Sequence, residues 1–267
     1  MSDSRPIGVF DSGLGGLTVV KAIQKLLPNE SIIYFGDTAR VPYGNKSKEL
    51  IIEYSNDITD YLIKNNSKLI VVACNTASAM ALDTLMNNIN EPVVGVINPG
   101  AKEAVIATQN KHVGIIGTVA TISSGAYEKA IYSLDKNVVT SAQPCPLFVP
   151  LAEEGWLEGN VVEQITAHYL KPFNNNQIDT LILGCTHYPL LKNIIANYVN
   201  EKMTLIDSAE AVAQEIQTQL SNSHLLNTDD QAGSLTCYVT DIPLRFEAIG
   251  KRFLGSSLDN VQMVHEF

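Results

Sequence analysis

Along almost the whole chain, apolar runs rich in β-branched residues alternate with segments of helical period, and this alternation restricts the fold more than any other feature. IGVF (7–10), IIYFG (32–36), LIVVA (69–73), VVGVI (93–97), VGIIG (113–117), VVTSA (138–142), TLILG (180–184), MTLID (203–207), LTCYV (235–239) and VQMV (261–264) read as strands. Several are apolar at every position, the pattern of parallel strands covered on both faces. Between them, residues 17–27 place Leu17, Val20, Ile23 and Leu27 on one face and stop at Pro28, and 47–64 carry Ile51, Tyr54, Ile58 and Tyr61 at helical spacing. Asp207 with Glu210 forms a helix-entry box before 208–220. Arg245 to Leu254 reads as a helix ended by Gly255. Residues 221–234 are polar and aperiodic and read as a surface loop. Strand–helix alternation of this kind is the mark of an α/β fold with mainly parallel sheets.

A faint repeat refines that expectation. IGVFDSG (7–13) is similar to VGIIGTV (113–119), and LIVVACNTAS (69–78) to TLILGCTHYP (180–189). Each unit opens on a strand followed by a hydroxyl-bearing turn, Ser12 or Thr118, and finishes on a strand followed by cysteine, Cys74 or Cys185. Two similar α/β halves related by a pseudo-two-fold, facing one another, would put the two cysteines in equivalent places. The length of 267 residues accommodates two such domains or one large one.

Composition narrows the function classes. A formal charge of −10 argues against a general nucleic-acid surface. No apolar run reaches the roughly 18 residues needed to span a bilayer. MSDSRPIGVF lacks a basic segment leading into an apolar one, so a cytoplasmic location is expected. The four cysteines, Cys74, Cys145, Cys185 and Cys237, are then expected as free thiols.

Cys74 and Cys185 both follow a strand and precede a helical pattern, where α/β sheets gather ligands. A thiol there meets the N–H groups and dipole of a helix start, which favour the thiolate. Asn75-Thr76 and Thr186-His187 add neutral donors beside them, and Pro189 suits the first turn of a helix beginning just beyond His187. One strand-end cysteine reads as packing; two in matched contexts read as chemistry that needs two matched groups. Inversion of a stereocentre is such chemistry, since a base takes a proton from one face while an acid delivers one to the other, and the roles exchange in reverse.

The segments IGVFDSGLGGLTV, GDTARVPYG (36–44), VVACNTAS (71–78), PLFVPLAEEG (146–155), LILGCTHYPLL (181–191) and FLG (253–255) resemble, in order, the cofactor-independent aspartate/glutamate racemase family, most of all its glutamate racemases. The resemblance implies interconversion of L- and D-glutamate for peptidoglycan synthesis, no cofactor and no metal, and a homodimer with neither nucleic acid nor membrane as partner. It implies that Cys74 acts on the D-enantiomer, assisted by Asp11, and Cys185 on the L-enantiomer, assisted by His187, with Glu153 as a further catalytic carboxylate. Substrate contacts would fall on Asp11, Ser12, Pro42, Tyr43, Gly44, Asn75, Thr76, Thr118, Thr121, Thr186 and His187. It also implies a first domain of 1–97 plus 208–267 and a second of 98–207, with the active site in the cleft between them. VTD (239–241) stands where relatives often have T-G-D, and Asn98 where many have an acidic residue.

Taken without the resemblance, Asp11 reads equally as a turn residue before Gly13, and His187 equally as a hydrogen-bonded structural histidine. Arg40 reads as a solvated loop arginine rather than a carboxylate clamp. Three other functions compete. DSGLGG (11–16) could hold a phosphate, although it departs from G-x-G-x-x-G and no G-K-[ST] follows. Cys74, Cys185 and His187 could bind zinc if folding brought them together. Two α/β lobes could also close on an amino acid without reacting.

Overall fold

The computed structural model describes residues 2–173, 177–199, 203–265 and 267. In chain order the elements are β1 (Ile7–Asp11), α1 (Leu17–Leu26), β2 (Ile32–Gly36), α2 (Lys48–Lys64), β3 (Leu69–Val72), α3 (Asn75–Asn88), β4 (Val93–Gly95) and α4 (Ile97–Ala107). Then come β5 (His112–Gly117), α5 (Val119–Ser124), α6 (Ala126–Leu134), β6 (Val139–Pro144), α7 (Phe148–Glu154), α8 (Asn160–Leu170), β7 (Thr180–Gly184) and α9 (Lys192–Val199). The chain ends through β8 (Thr204–Ile206), α10 (Ser208–Asn222), β9 (Leu235–Val239), α11 (Pro243–Leu254) and β10 (Val261–Met263). Each run expected to be a strand is one, within the shift of a residue or two usual at element ends.

The strands form two sheets, ordered β10-β9-β2-β1-β3-β4 and β6-β5-β7-β8, and every pairing is parallel. The order β2-β1-β3-β4 is reproduced by β6-β5-β7-β8, so the faint repeat is a repeat of topology. The first sheet alone gains β9 and β10 on its β2 edge. Central strands β1, β3 and β7 are buried at every residue, which is why they carry no polar alternation, whereas edge strand β6 is half open.

Helix starts follow local chemistry. Ser47 caps α2 by accepting from Leu50 N at 3.4 Å, and Ile51, Ser55, Ile58 and Leu62 form its buried face. Asp207 caps α10 through Ala209 N at 3.0 Å, but the box expected with Glu210 is only half built, because Glu210 turns outward to Lys25 Nζ at 3.2 Å. The run 93–97 ends as a strand at Gly95, since Ile97-Asn98-Pro99 opens α4 instead. The expected loop 221–234 is helical to Asn222 and then irregular. It is not wholly a surface feature, because Leu225 and Leu226 pack against the first sheet's core.

That loop is tied in by a buried charge. Lys68, at the foot of β3, donates Nζ to the carbonyls of Asp3 (2.6 Å) and Leu225 (2.7 Å) and lies 2.6 Å from Glu30 Oε2, with both charged side chains nearly solvent-free. Among the described residues no helix is long and apolar enough to cross a membrane. Lys68→Met leaves Glu30 buried and unpaired and is expected to cost about 3–5 kcal/mol in denaturant melts. Adding Glu30→Gln should recover part of that loss, because the uncompensated charge then disappears.

Candidate active site

Both cysteines stand where the sheet edge turns into a helical segment. Cys74 follows β3 by one residue and is the N-cap of α3. Cys185 follows β7 directly, and its carbonyl accepts Tyr188 N at 3.1 Å as the chain enters a 3₁₀ turn, Tyr188–Leu191, with Pro189 in its first positions. The regular helix α9 begins only at Lys192, so the two turns match in position but not in helix type.

Parallel register sets the neighbours. Phe10 pairs with Val72, which brings Asp11-Ser12-Gly13 alongside Cys74; Gly117 pairs with Gly184, which brings Thr118 alongside Cys185. The two edges then share one cavity of about 410 Å³. Ser12, Pro42, Tyr43, Gly44, Cys74, Asn75, Thr76, Thr118, Glu153, Cys185, Thr186 and His187 all line it. Asp11 and Thr121 lie behind the wall. Asp11 is fully buried, accepting from Gly13 N at 3.1 Å and Thr186 Oγ1 at 3.4 Å. Thr121 completes a triangle of hydroxyls with Thr76 (3.2 Å) and Thr118 (2.9 Å), which are themselves 2.9 Å apart, and this joins the start of α3 to the start of α5. Asn75 Oδ1 accepts from the buried Tyr127 hydroxyl at 2.7 Å, which leaves its amide donors for the cavity side.

The glycines of DSGLGG serve close approach. A Cβ on Gly15 would strike Thr186 Oγ1 and lie 2.6 Å from His187 Nδ1, so the loop after β1 packs directly on the second cysteine turn. Among the described residues, no three His, Cys, Asp or Glu side chains are grouped so as to hold a metal ion.

The environments of the two thiols differ. Cys74 Sγ is 3.8 Å from Ser12 Oγ. Burial, with the charge of Asp11 added, pushes its thiol up to about 12. Cys185 Sγ faces His187 Nδ1 at 3.9 Å, and His187 Nε2 meets Glu153 Oε1 at 3.0 Å. Burial opposes a charged imidazole, but the hydrogen bonds to Cys185 and Glu153 and the charges of Cys185 and Asp11 outweigh it and carry His187 up to about 10. Burial raises Glu153 as well, yet the bond and charge of His187, helped by Arg245, hold it below the ordinary carboxylate range. His187 and Glu153 are thus an ionised pair at neutral pH. Asp11 is raised by burial, against the pull of His187 and of three backbone N–H groups.

Arg40 is neither solvated nor a clamp on the cavity. Its Nε donates to buried Asp37 at 2.7 Å and its Nη1 to Asp57 at 3.2 Å, with the guanidinium stacked 4.1 Å over Tyr54. Asp37 in turn takes the Tyr43 hydroxyl at 2.5 Å, so Arg40 braces the loop that carries Pro42, Tyr43 and Gly44. Sequence reasoning also missed the apolar wall made by Val41, Val119, Pro146, Leu147, Val149 and Pro150. The run PLFVPL could have flagged it, being apolar without strand alternation or a long helical period. Among the described residues no lysine or arginine lines the cavity.

The profile of the Asp/Glu/Hydantoin racemase family matches residues 7–216. A glutamate racemase from Geobacter metallireducens is 49% identical over 260 residues, covering 97% of this chain and 96% of its own. Among solved structures, glutamate racemase from Francisella tularensis in complex with D-glutamate superposes with a TM-score of 0.92 at 42% identity, covering 98% of both chains. The RacE1 isoform of glutamate racemase from Bacillus anthracis gives 0.94 at 40% identity, covering 97% of both. With a profile match over most of its length and relatives similar from end to end, the chain belongs to the Asp/Glu/Hydantoin racemase family.

Proposed function

We propose that the protein interconverts L- and D-glutamate by passing a proton through the substrate α-carbon between Cys74 and Cys185, without a cofactor, and that the D-glutamate supplies peptidoglycan synthesis. The observation that carries this reading is that thiols from equivalent strand ends of two sheets line one cavity. The relatives named as glutamate racemases support glutamate as the substrate. In this reading residues 1–97 with 208–267 form one domain and 98–207 the other, with the substrate held between them. Core packing supports that division: Val96 clusters with the first sheet and Ile97 with the second, and Ala209 to Leu220 return to the first.

Glutamate brings two carboxylates and one ammonium into a cavity lined, among the described residues, by no lysine or arginine. Its carboxylates are held by neutral donors: the N–H groups opening α3, the Asn75 amide, and the hydroxyls of Ser12, Thr76, Thr118 and Thr186. With its pKa pushed up to about 12 by burial and Asp11, the Cys74 thiol is almost wholly protonated at neutral pH. The substrate ammonium beside the sulfur favours the thiolate, so binding itself prepares Cys74 for D-glutamate. Asp11, behind Ser12, raises the proton affinity of Cys74 and so keeps it in the protonated form from which a proton must be delivered when L-glutamate is the substrate. Across the cavity, the His187 imidazolium gives Cys185 a counter-charge as negative charge develops on that sulfur, and Glu153 keeps the imidazole charged and oriented.

Circular dichroism of L-glutamate is expected to decay to zero with the wild-type protein; an unchanged signal would reduce the protein to a binder. Cys74→Ala and Cys185→Ala should each lower racemisation by roughly 10²–10⁴-fold in both directions with the far-UV spectrum intact. A single-cysteine variant that still racemises efficiently would end the two-base scheme.

The pH dependence has a definite sign. His187 is raised from 6.5 to about 10, so its cation persists through neutral pH and is lost as pH rises through that value. The profile of kcat/KM should therefore fall on the alkaline side near pH 10. Glu153→Gln removes a contact that raises His187 and should move that fall to lower pH. An unmoved limb would detach Glu153 from the imidazole.

A further inference from the structure

Resting on the reaction just proposed, we infer that Arg252 and Phe253, consecutive on α11, are positioning residues that hold Glu153 and His187 in register with Cys185. Neither residue lines the cavity. Arg252 Nη1 donates to the carbonyls of Ala152 (3.2 Å) and Glu153 (2.7 Å), the last turn of α7. Carbonyls at a helix end lack partners within the helix, and a cation there also meets the negative end of the dipole. The next residue, Gly155, adopts φ +77°, and a Cβ on it would lie 2.7 Å from the guanidinium, so a glycine both ends α7 and leaves room for the arginine. Phe253 presents its ring to His187 edge to face, with centroids 5.2 Å apart at 80°.

These contacts come from the far side of the fold. Phe253 and Leu254 are buried in the first sheet's core, while α7 enters from β6 and its Phe148 packs on Tyr188 in the second. Ala152, one residue before Glu153, is itself in the first sheet's core cluster. The helix bearing Glu153 is therefore anchored at its start in one core and at its end in the other. The 3.0 Å contact between Glu153 and His187 depends on both anchors, and Arg252 is the polar half of the second. A residue that sets a catalytic hydrogen bond in this way acts on turnover more than on substrate affinity.

Arg252→Met keeps the aliphatic stem and removes the two hydrogen bonds. The expected result is a loss of kcat in both directions of roughly ten- to hundredfold, as displaced catalytic groups show, with KM changed much less. The alkaline limb of the pH profile should move to lower pH, and Arg252→Lys should restore part of both. In parallel, the ring of His187 followed by NMR should titrate at lower pH in Arg252→Met than in wild type, whatever the substrate proves to be. Wild-type protein inert toward glutamate would sink the functional reading while leaving this titration to judge the positioning role. A variant that merely melts earlier, with kcat, pH limb and His187 titration unchanged, would make Arg252 a structural brace and overturn the inference.

Discussion

A parallel strand delivers its last residue to the same edge of the sheet as its neighbours, and the site depends on this. Cys74 and Ser12 are neighbours because β1 and β3 run side by side in register; Cys185 and Thr118 are neighbours because β5 and β7 do. The hydroxyl triangle of Thr76, Thr118 and Thr121 and the packing of Gly15 on the second cysteine turn bring the two edges against each other. With either sheet reversed in register by one residue, the corresponding thiol would point to the opposite face of its strand. The cavity is thus a product of strand order before it is a product of any particular side chain.

The cavity's second property is electrostatic. Among the described residues it is lined by hydroxyls, amides, thiols and apolar groups, with Glu153 and His187 as ionised members and no lysine or arginine. Burial penalises charge on sulfur, which, with the charge of Asp11, is why Cys74 is so weakly acidic. In the proposed reaction an anionic substrate enters an acidic protein of charge −10 and is held by oriented dipoles, while its ammonium supplies beside Cys74 the positive charge that His187 supplies beside Cys185.

What could be read from the chain is what short segments encode. Val, Ile and Leu runs give buried strands, and the similarity of IGVFDSG to VGIIGTV and of LIVVACNTAS to TLILGCTHYP survives as one strand order used twice. Cys74 and Cys185 stood out because each lies at a strand end, a local property. Arg40 did not reveal itself, since its partners Asp57 and Tyr54 lie more than a dozen residues on, and nothing between signals that α2 folds back over the loop. Lys68 gives no local sign of its burial, since Leu225 and Glu30, which close around it, are distant in the chain. The apolar wall of Leu147, Val149 and Pro150 was not legible either, because an apolar run does not say whether it faces a core or a cavity.

The duplication is incomplete, and its incompleteness separates the two thiols. If the halves were copies, Cys74 and Cys185 would sit in equivalent surroundings. Instead the first sheet carries β9, α11 and β10, for which the second has no counterpart among the described residues. Helix α11 reaches from that extension to the last turn of α7 and to the ring of His187. Among the described residues no equivalent of His187 or Glu153 stands beside Cys74, where Asn75 and Thr76 follow the cysteine and buried Asp11 supplies the nearby charge. A symmetric pair of acids and bases would treat both faces of a substrate alike, but an amino acid is not symmetric across its α-carbon plane, because its carboxylates and ammonium must be gripped somewhere. The unduplicated tail supplies this asymmetry without disturbing the paired strand ends that hold the sulfurs.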